Sequence, residues 1–547
     1  MCIRYVMGGT LWALSICLGL GTAVLAKEPA KADVDLAKFY APGQIQLLQL
    51  NIRDEDMHKL QAALPERVFV PATFRWNDRS FENVAVRYKG NSSSMPEQRH
   101  KRGLLVKFNE YDKKGTFGGL HRVALDNGIQ FGGLLSEPLI TSILREVGVR
   151  AARCNFAKLT INGSYAGLYV NVERVDEIFV RNHFEDAGGP LYKVDEGGPG
   201  ADWRPVSIPA DAKGRVPLAF EPQNKAAEPD ARDVLDLIDR LNRVPANQFA
   251  QCLDANLETD AFLKSMAVLL FAGAFDQLTG WNPHNYCLYR QPEDGRWYYI
   301  AFDLDVGFAE RAFGQVPVID GWNAAWPLPG GPPRPVLERL VDDPTLLARY
   351  RQIADEILEK QFHPDVLIPQ LNALYEVIKP ELANDPFPPR RVTNPEDRDY
   401  ETIVESMREF IRRRYATARA QLDHPGPRPK SAPTRMRPDA GPQPGPPSDD
   451  APSDLRVTAC TANSVSLAWT DNARGEAATV VQRAVGEQGN AFGNHIGRPG
   501  ENVTSADDTQ VEPGRTYRYR VYAVRPTPQG PQGTGVSNTV IVQVPAR

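Results

Sequence analysis

The chain has 547 residues, 42% of them hydrophobic and 24% charged, with a formal net charge of -5. That length is too great for one compact domain, so two or three are expected. The balance is that of soluble globular protein, and the slightly negative charge removes the electrostatic case for nucleic acid or an anionic membrane as partner.

Arg4 followed by the apolar run Val6 to Val24 reads as an export signal. Val24-Leu25-Ala26 offers small side chains where a signal peptidase needs them, which predicts a signal over 1–26 and cleavage before Lys27. The run is also about long enough to act as an uncleaved anchor. Cys17 suggests lipid attachment, but the large Ile16 before it argues against that processing. No later stretch is apolar enough to span a bilayer. Of the six cysteines, Cys2 and Cys17 leave with the signal. Cys154, Cys252, Cys287 and Cys460 lack the CxxC spacing of a structural zinc site; they allow one disulfide within the first domain.

Residues 27–33 read as a short tether. Gln44 to Leu50 largely alternates and predicts a strand, and Asp54 to Leu64 a helix capped by Asp54. Val68 to Trp76 and Ser80 to Tyr88 are strands around the turn Asn77-Asp78-Arg79. The second runs into Lys89-Gly90-Asn91-Ser92-Ser93, a hydroxyl-rich turn. Gly90 permits close backbone approach there, and free N–H groups would suit a phosphate. Gly103 to Asn109 is the next strand, with Lys101 and Lys107 as candidate phosphate contacts or, equally, solvated strand residues. Leu135 to Val147 is a helix closed by Gly148. Lys158 to Ile161 and Tyr165 to Glu173 form a hairpin about Asn162-Gly163. Asp176 to Phe184 reads as a helix, Gly189 to Lys193 as a short strand, and the Gly/Pro-rich Glu196 to Pro222 as a surface loop.

Asp230 to Leu241 and Asp260 to Phe275 are helical. Then comes DQLTGWNPHNYCLYRQPEDGRWYYIAFDLDVGF, Asp276 to Phe308. Tyr286 to Tyr289 and Trp297 to Phe302 flank the turn Glu293-Asp294-Gly295, which predicts a β-hairpin. Its two ends bring Asn285 to Asp303, and Asp276 reaches the same place. Acidic and amide oxygens converging at strand ends suit a hard cation such as Mg²⁺, and a separate carboxylate can orient or deprotonate a hydroxyl nucleophile. An isolated Asp303-Leu304-Asp305 would read as a turn or cap; here Asp276 and Asn285 supply partners. His284 reads as a hydrogen-bonding loop residue rather than a base. Protein kinases follow the same logic, a catalytic Asp, an Asn ligand, a hairpin and a metal-binding Asp before Gly, although the HRD, DFG and Walker spellings are absent.

Pro335 to Leu340, Pro344 to Leu358, Pro364 to Ile378 and Glu401 to Leu422 are helices, with a Pro-rich loop from Pro380 to Arg391. Prolines recur through 424–453, mixed with Gly, Ser, Arg and Asp, a composition for a semi-stiff linker rather than a core. The rest, 454–547, is an all-β module. Val465 to Trp469 alternates with Trp469 inward, and Tyr517 follows Pro513-Gly514. This resembles a fibronectin type III domain, an immunoglobulin-like sandwich with Tyr517 as its tyrosine corner.

Residues 276–307 also resemble the spore-coat protein H (CotH) kinase family, whose pattern is roughly D…hNyyLy…W…ipwDlD..fG. The matches are Asp276, His284-Asn285-Tyr286, Leu288-Tyr289, Trp297, Phe302 to Asp305 and Gly307; the departure is Gly307-Phe308 where the family has Phe-Gly. Arg87 to Ser93 matches the family's R-x-K/R-G-N-S-S. Leu159, Ile161, Asn162-Gly163, Tyr165, Gly167-Leu168-Tyr169 and Glu173 match a third motif. The resemblance covers about 44 to 420. It implies an α+β, two-lobed, atypical protein-kinase-like domain over 27–423. It implies transfer of the ATP γ-phosphoryl to Ser or Thr of a protein, with Mg²⁺ or Mn²⁺. Asp276 is then the catalytic carboxylate, and Asn285, Asp303 and Asp305 are metal ligands. Lys89, Gly90, Asn91, Ser92, Lys107 and Glu173 bind the nucleotide, Glu173 from near the hinge, with a capping or ion-pairing carboxylate as its alternative reading. The expected partner is an exported or cell-surface protein, and the location secreted, periplasmic or cell surface. Export and the C-terminal module also fit a non-catalytic surface-binding or adhesion protein with a degenerate kinase fold, its module contacting protein or carbohydrate. A metal-dependent hydrolase on Asp303 and Asp305 fits less well, lacking a His-rich ligand set.

Overall fold

The computed structural model describes residues 34–426 and 444–546 apart from short internal stretches, of which 207–217, 310–317 and 320–333 are the longest. The export signal, most of the linker, and Asn91 and Ser92 lie outside the described residues.

The first part is a closed seven-stranded barrel. A short helix α1 (Leu36–Phe39) leads into β1 (Ile45–Asn51), then α2 (Asp54–Ala62), β2 (Val70–Trp76), β3 (Arg79–Lys89), β4 (Gly103–Lys107) and β5 (Arg122–Asp126). Helix α3 (Ser136–Glu146) precedes the hairpin β6 (Cys154–Ile161) and β7 (Ser164–Val172). The order is β1-β2-β3-β4-β5-β7-β6, and closure comes from the parallel pairing of β1 with β6, Ile45 opposite Phe156 to Leu50 opposite Ile161. Alternation drives this. In β1 Leu48 and Leu50 point inward between exposed neighbours, and they meet Phe39, Phe74, Trp76, Phe108 and Phe117 in one aromatic core. Asp54 does not cap α2: the cap residue is Arg53, without a side-chain bond, and Arg53 pairs instead with Asp56 at 2.7 Å. β5 has no counterpart among the predicted strands. Its pairing with β4 and β7 is what allows the barrel to close.

The second part is mostly helical around a four-stranded sheet. Its elements are α4 (Glu177–His183), β8 (Leu191–Val194), β9 (Glu221–Pro222), α5 (Arg232–Arg243), α6 (Phe249–Asn256), α7 (Thr259–Ala272), β10 (Tyr286–Arg290), β11 (Trp297–Ala301), α8 (Pro335–Asp342), α9 (Pro344–Lys360), α10 (Pro364–Leu382) and α11 (Tyr400–Asp423). The sheet order is β11-β10-β8-β9. Helix α7 is buried almost all round, as a central core helix must be. One hydrophobic core joins these helices to α3 and to Phe156, Leu168 and Val170 of the barrel, so barrel and helices are packed directly together.

The stretch 196–222 corrects an expectation. Its Gly/Pro content predicts a surface loop, but Ala201, Trp203 and Phe220 are buried in the large core. Trp203 stacks on Phe262 at 5.3 Å and donates its indole N–H to the Tyr286 hydroxyl at 3.2 Å; burying one indole outweighs a flexible composition. Cys154, Cys252, Cys287 and Cys460 are free thiols, so the disulfide is not formed. Among the described residues no helix is long and apolar enough to cross a membrane.

The C-terminal module has β12 (Ser453–Thr461), β13 (Ser464–Thr470), β14 (Ala478–Val485), β15 (Gly493–Pro499), β16 (Ser505–Asp508), β17 (Thr516–Arg525), β18 (Gln532–Gly533) and β19 (Val540–Gln543). One sheet is β12-β13-β16; the other is β15-β14-β17-β18, with β19 also on β17. Leu467 and Trp469 of the first share a core with Val481, Tyr519 and Val521 of the second. The Tyr517 hydroxyl accepts from Glu512 N–H at 3.0 Å. Residues 445 and 448, in the stretch read as linker, already bond to this module: Gly445 N–H donates to Thr534 O at 2.8 Å, and Gly535 N–H to Ser448 Oγ at 3.0 Å.

Candidate functional site

The hairpin forms as its turn chemistry requires. β10 and β11 pair from Tyr286 opposite Ala301 to Arg290 opposite Trp297, and Gly295 takes the left-handed turn position at φ 72°. At the open end, Phe302 N–H donates to Asn285 O at 3.0 Å. Asn285 (φ 57°) and Asp303 (φ 54°) are both left-handed, a conformation that costs a non-glycine residue about 1 kcal/mol and clusters at functional sites. Helix α7 stops at Gly273, φ 65°, and the chain turns back toward the hairpin mouth. The buried Asn285 amide donates to Asp276 O at 3.1 Å and reaches its carboxylate at 3.4 Å. His284 Nε2 is 3.4 Å from the same carboxylate. Gln277 donates to Phe302 O at 3.0 Å, while its own buried Oε1 has no partner among the described residues.

The barrel faces this mouth with Lys89, the last residue of β3. Its ammonium is paired with Asp126 at the end of β5. Asp126 also accepts from Gly128 N–H at 3.1 Å. Burial alone would lower the Lys89 pKa, but Asp126, Asp303 and Glu137 together hold it above the usual lysine range. Burial would raise Asp126, but Lys89 and the Gly128 N–H hold it low. Glu137, in the first turn of α3, accepts from Leu304 N–H at 3.3 Å; burial, with Asp126 and Asp303 nearby, pushes it up to about 8. Burial also raises Asp303, opposed by Lys89 and reinforced by Asp126 and Asp276. Asp305 is raised well above the carboxylate range by burial and then by Asp303, Asp126, Glu137 and Asp276. The backbone of Asp305 lies so close to Gly133 that a Cβ there would sit 2.7 Å from its carbonyl oxygen.

Carboxylates crowded in a low dielectric resist joint ionisation unless positive charge joins them. Lys89 supplies some. Among the described residues no group of three or more His, Cys, Asp or Glu side chains forms a ready-made metal cage. Mg²⁺ needs none where one or two carboxylates and the substrate's own phosphates complete its shell. Asn285, Asp303 and Asp305 carry oxygen donors of the type that such a cation takes.

The other expected site residues are distributed differently. Gly90 follows Lys89 at φ 85°, and its carbonyl accepts from Ser94 Oγ at 2.5 Å. Lys107 stands opposite Ala85 whereas Gly103 stands opposite Lys89. Lys107 thus sits about 13 Å along the ladder, paired with Glu110 at 2.5 Å. Glu173 is likewise engaged elsewhere: it accepts from Arg153 at 2.6 and 2.9 Å and from His183 at 3.0 Å. Burial works against its ionisation, but His183 and Arg153 hold it down to about 2. Its geometry is that of the ion-pairing carboxylate. Asp126 and Glu137 are the residues that motif reading missed. The Asp126-Asn127-Gly128 turn triplet would have marked the first; Glu137 looks like any acidic residue at a helix start.

The backbone path through the reversed pair Gly307-Phe308 is fixed by local contacts. Phe308 is left-handed (φ 52°), donates to Ala272 O at 2.8 Å and stacks on Phe362. A Cβ on Gly307 would come within 2.9 Å of Ile140.

A family model described as CotH kinase protein matches residues 86–418. The inner spore coat protein H of Bacillus subtilis (strain 168) is 25% identical over 349 residues, 63% of this chain and 89% of that protein. Among solved structures, the fibronectin type-III domain of human fibronectin type III domain containing protein 3 is 15% identical with a TM-score of 0.15, covering 19% of this chain and 92% of its own. The FN5 domain of Drosophila Lar is also 15% identical at a TM-score of 0.15, covering 18% of this chain and 100% of its own.

Proposed function

The chain belongs to the CotH kinase family, and we propose that it transfers the γ-phosphoryl of ATP to Ser or Thr hydroxyls of a protein, in the manner of an atypical two-lobed kinase. The observation that carries this is the hairpin mouth, where Asp276 and Asn285 are hydrogen-bonded and Asp303 feels both Asp276 and the barrel's Lys89. Phosphoryl transfer asks the protein mainly for position and charge. Asp276 orients the acceptor hydroxyl and takes up its proton. Asn285, Asp303 and Asp305 would hold Mg²⁺ or Mn²⁺, which when bound neutralises charge on the phosphate oxygens. Lys89 releases Asp126 in part to meet the phosphates, and the Gly90 turn lies beside it. Glu173 and Lys107 are left out of this assignment because their partners lie elsewhere.

The N-terminal apolar run and the relative's place in a spore coat support export to a surface or extracytoplasmic space, with a protein acceptor there. The inward Trp469 and the Tyr517–Glu512 bond support a fibronectin type III-like sandwich for the C-terminal module, in the role of a spacer or docking unit.

The test is labelled ATP with Mn²⁺ or Mg²⁺ on the purified protein, beside Asp276→Asn and Asp303→Asn. Label on the protein or an added acceptor should fall about 10³-fold in each variant. Label surviving in both would overturn the residue assignment. No label, with no metal-dependent ATP binding by calorimetry, would replace the kinase by the surface-binding reading.

A further inference from the structure

We propose that Asp385, just beyond α10, is a positioning residue that sets Lys89 from across the molecule; its consequence for ATP rests on the kinase reading above. Lys101 and Asp385 form a buried ion pair at 2.9 Å, their side chains 0% and 1% exposed. The same Asp385 oxygen accepts from Leu168 N–H at 2.8 Å, and its other oxygen accepts from Phe387 N–H at 3.0 Å. Lys101 also donates to Leu168 O at 2.5 Å. The seat is built for this contact. Gly167 is at φ 117°, and a Cβ there would lie 2.9 Å from Lys101 Cδ and 3.0 Å from Asp385 Oδ1. Gly167 stands beside the hairpin's β-bulge, where Ala166 is the extra residue, and its missing side chain also leaves the room that Asp385 occupies.

A buried ion pair is weak as a source of stability and is better explained by the geometry it fixes. Lys101 O accepts from the Asn127 amide at 2.8 Å, next to Asp126, the partner of Lys89. Two residues on, Gly103 lies opposite Lys89, so close that a Cβ would be 2.8 Å from Lys89 Cγ. Asp385 thus holds Lys101, and Lys101 holds both strands that aim the Lys89 ammonium. The same connector reaches the opposite wall. The buried Arg391 pairs with Asp397 at 3.1 Å and donates to the Gly307 and Phe308 carbonyls, just past Asp303 and Asp305. A single connector therefore ties the lysine side of the cleft to the aspartate side.

The full chain is tested as Asp385→Asn, as the uncharged double variant Lys101→Met/Asp385→Leu, and as a control, Glu381→Gln. Glu381 pairs with Lys158 at the same helix end. Asp385→Asn should raise the KM for ATP about tenfold while kcat stays within about threefold. Hydrogen exchange of the amides from Lys101 to Leu104 should also quicken. The double variant, which leaves the Leu168 and Phe387 N–H groups without their acceptor, should keep both a lowered thermal midpoint and the raised KM; Glu381→Gln should change none of these. A wild-type KM in Asp385→Asn, or a double variant that recovers both midpoint and KM, would overturn the proposal. If the wild-type protein neither binds nor uses ATP, the kinase reading falls by itself. Exchange then decides: quickening in Asp385→Asn with none in the control keeps the positioning role, and unchanged exchange ends it.

Discussion

Asn285 and Asp303 hold the same left-handed backbone conformation at the two ends of one hairpin. Replacing Asn285 by glycine would relieve about 1 kcal/mol of backbone cost and lose about 1 kcal/mol of hydrogen bonding. Stability by urea unfolding should therefore stay within about 1 kcal/mol of wild type, while phosphoryl transfer falls at least about 100-fold. Glu173 should behave in the opposite way. Its carboxyl titrates at about 2 in the fold against an ordinary 4.5, so it favours the folded state by roughly 3 kcal/mol. Because the folded value is the lower one, that contribution is complete above about pH 4.5 and fades as pH falls toward 2. Glu173→Gln should be less stable at pH 7 by about that amount, and the gap in urea midpoints should narrow between pH 5 and pH 3. The meeting of Asp276 and Asn285 at the hairpin mouth beside Asp303 was legible because turn chemistry and spacing marked the hairpin. Asp126 carried only a turn signal and Glu137 none, since the part each plays comes through a neighbour far away in sequence.

At the scale of elements, both hairpins were legible because Asn162-Gly163 and Asp294-Gly295 dictate local turns. Barrel closure was not, because β1 meets β6 across more than a hundred residues and parallel pairing leaves no local signal. Trp203 escaped for a similar reason: composition averages over a segment, whereas one indole decides where that segment goes. Tyr286, which accepts the Trp203 N–H and donates to Ala201 O at 2.6 Å, is the residue after Asn285. Trp203→Ala should cost about 3–5 kcal/mol and, below its melting point, should also lower transfer more than Trp203→Phe, as read by labelled ATP at a temperature where both are folded.

For the whole molecule, the C-terminal module has its own core, and the composition of 424–453 predicts a semi-stiff linker before it, of which Gly445 and Ser448 already bond to the module. Limited proteolysis should cut within the Pro-rich linker and release two folded fragments, the larger retaining any phosphoryl transfer of the whole chain; loss of activity on cutting would assign the module a direct part in the reaction. The larger unit is not divisible in that way, and the Lys101–Asp385 pair shows why. The two residues are separated by 284 positions. A chain that ends before Asp385 holds all seven strands of the barrel, yet it cannot bury the Lys101 ammonium without a carboxylate to receive it. Chains truncated before Asp385 should therefore remain loose at this seam and open to proteases, so that the helical half is what completes the strand half.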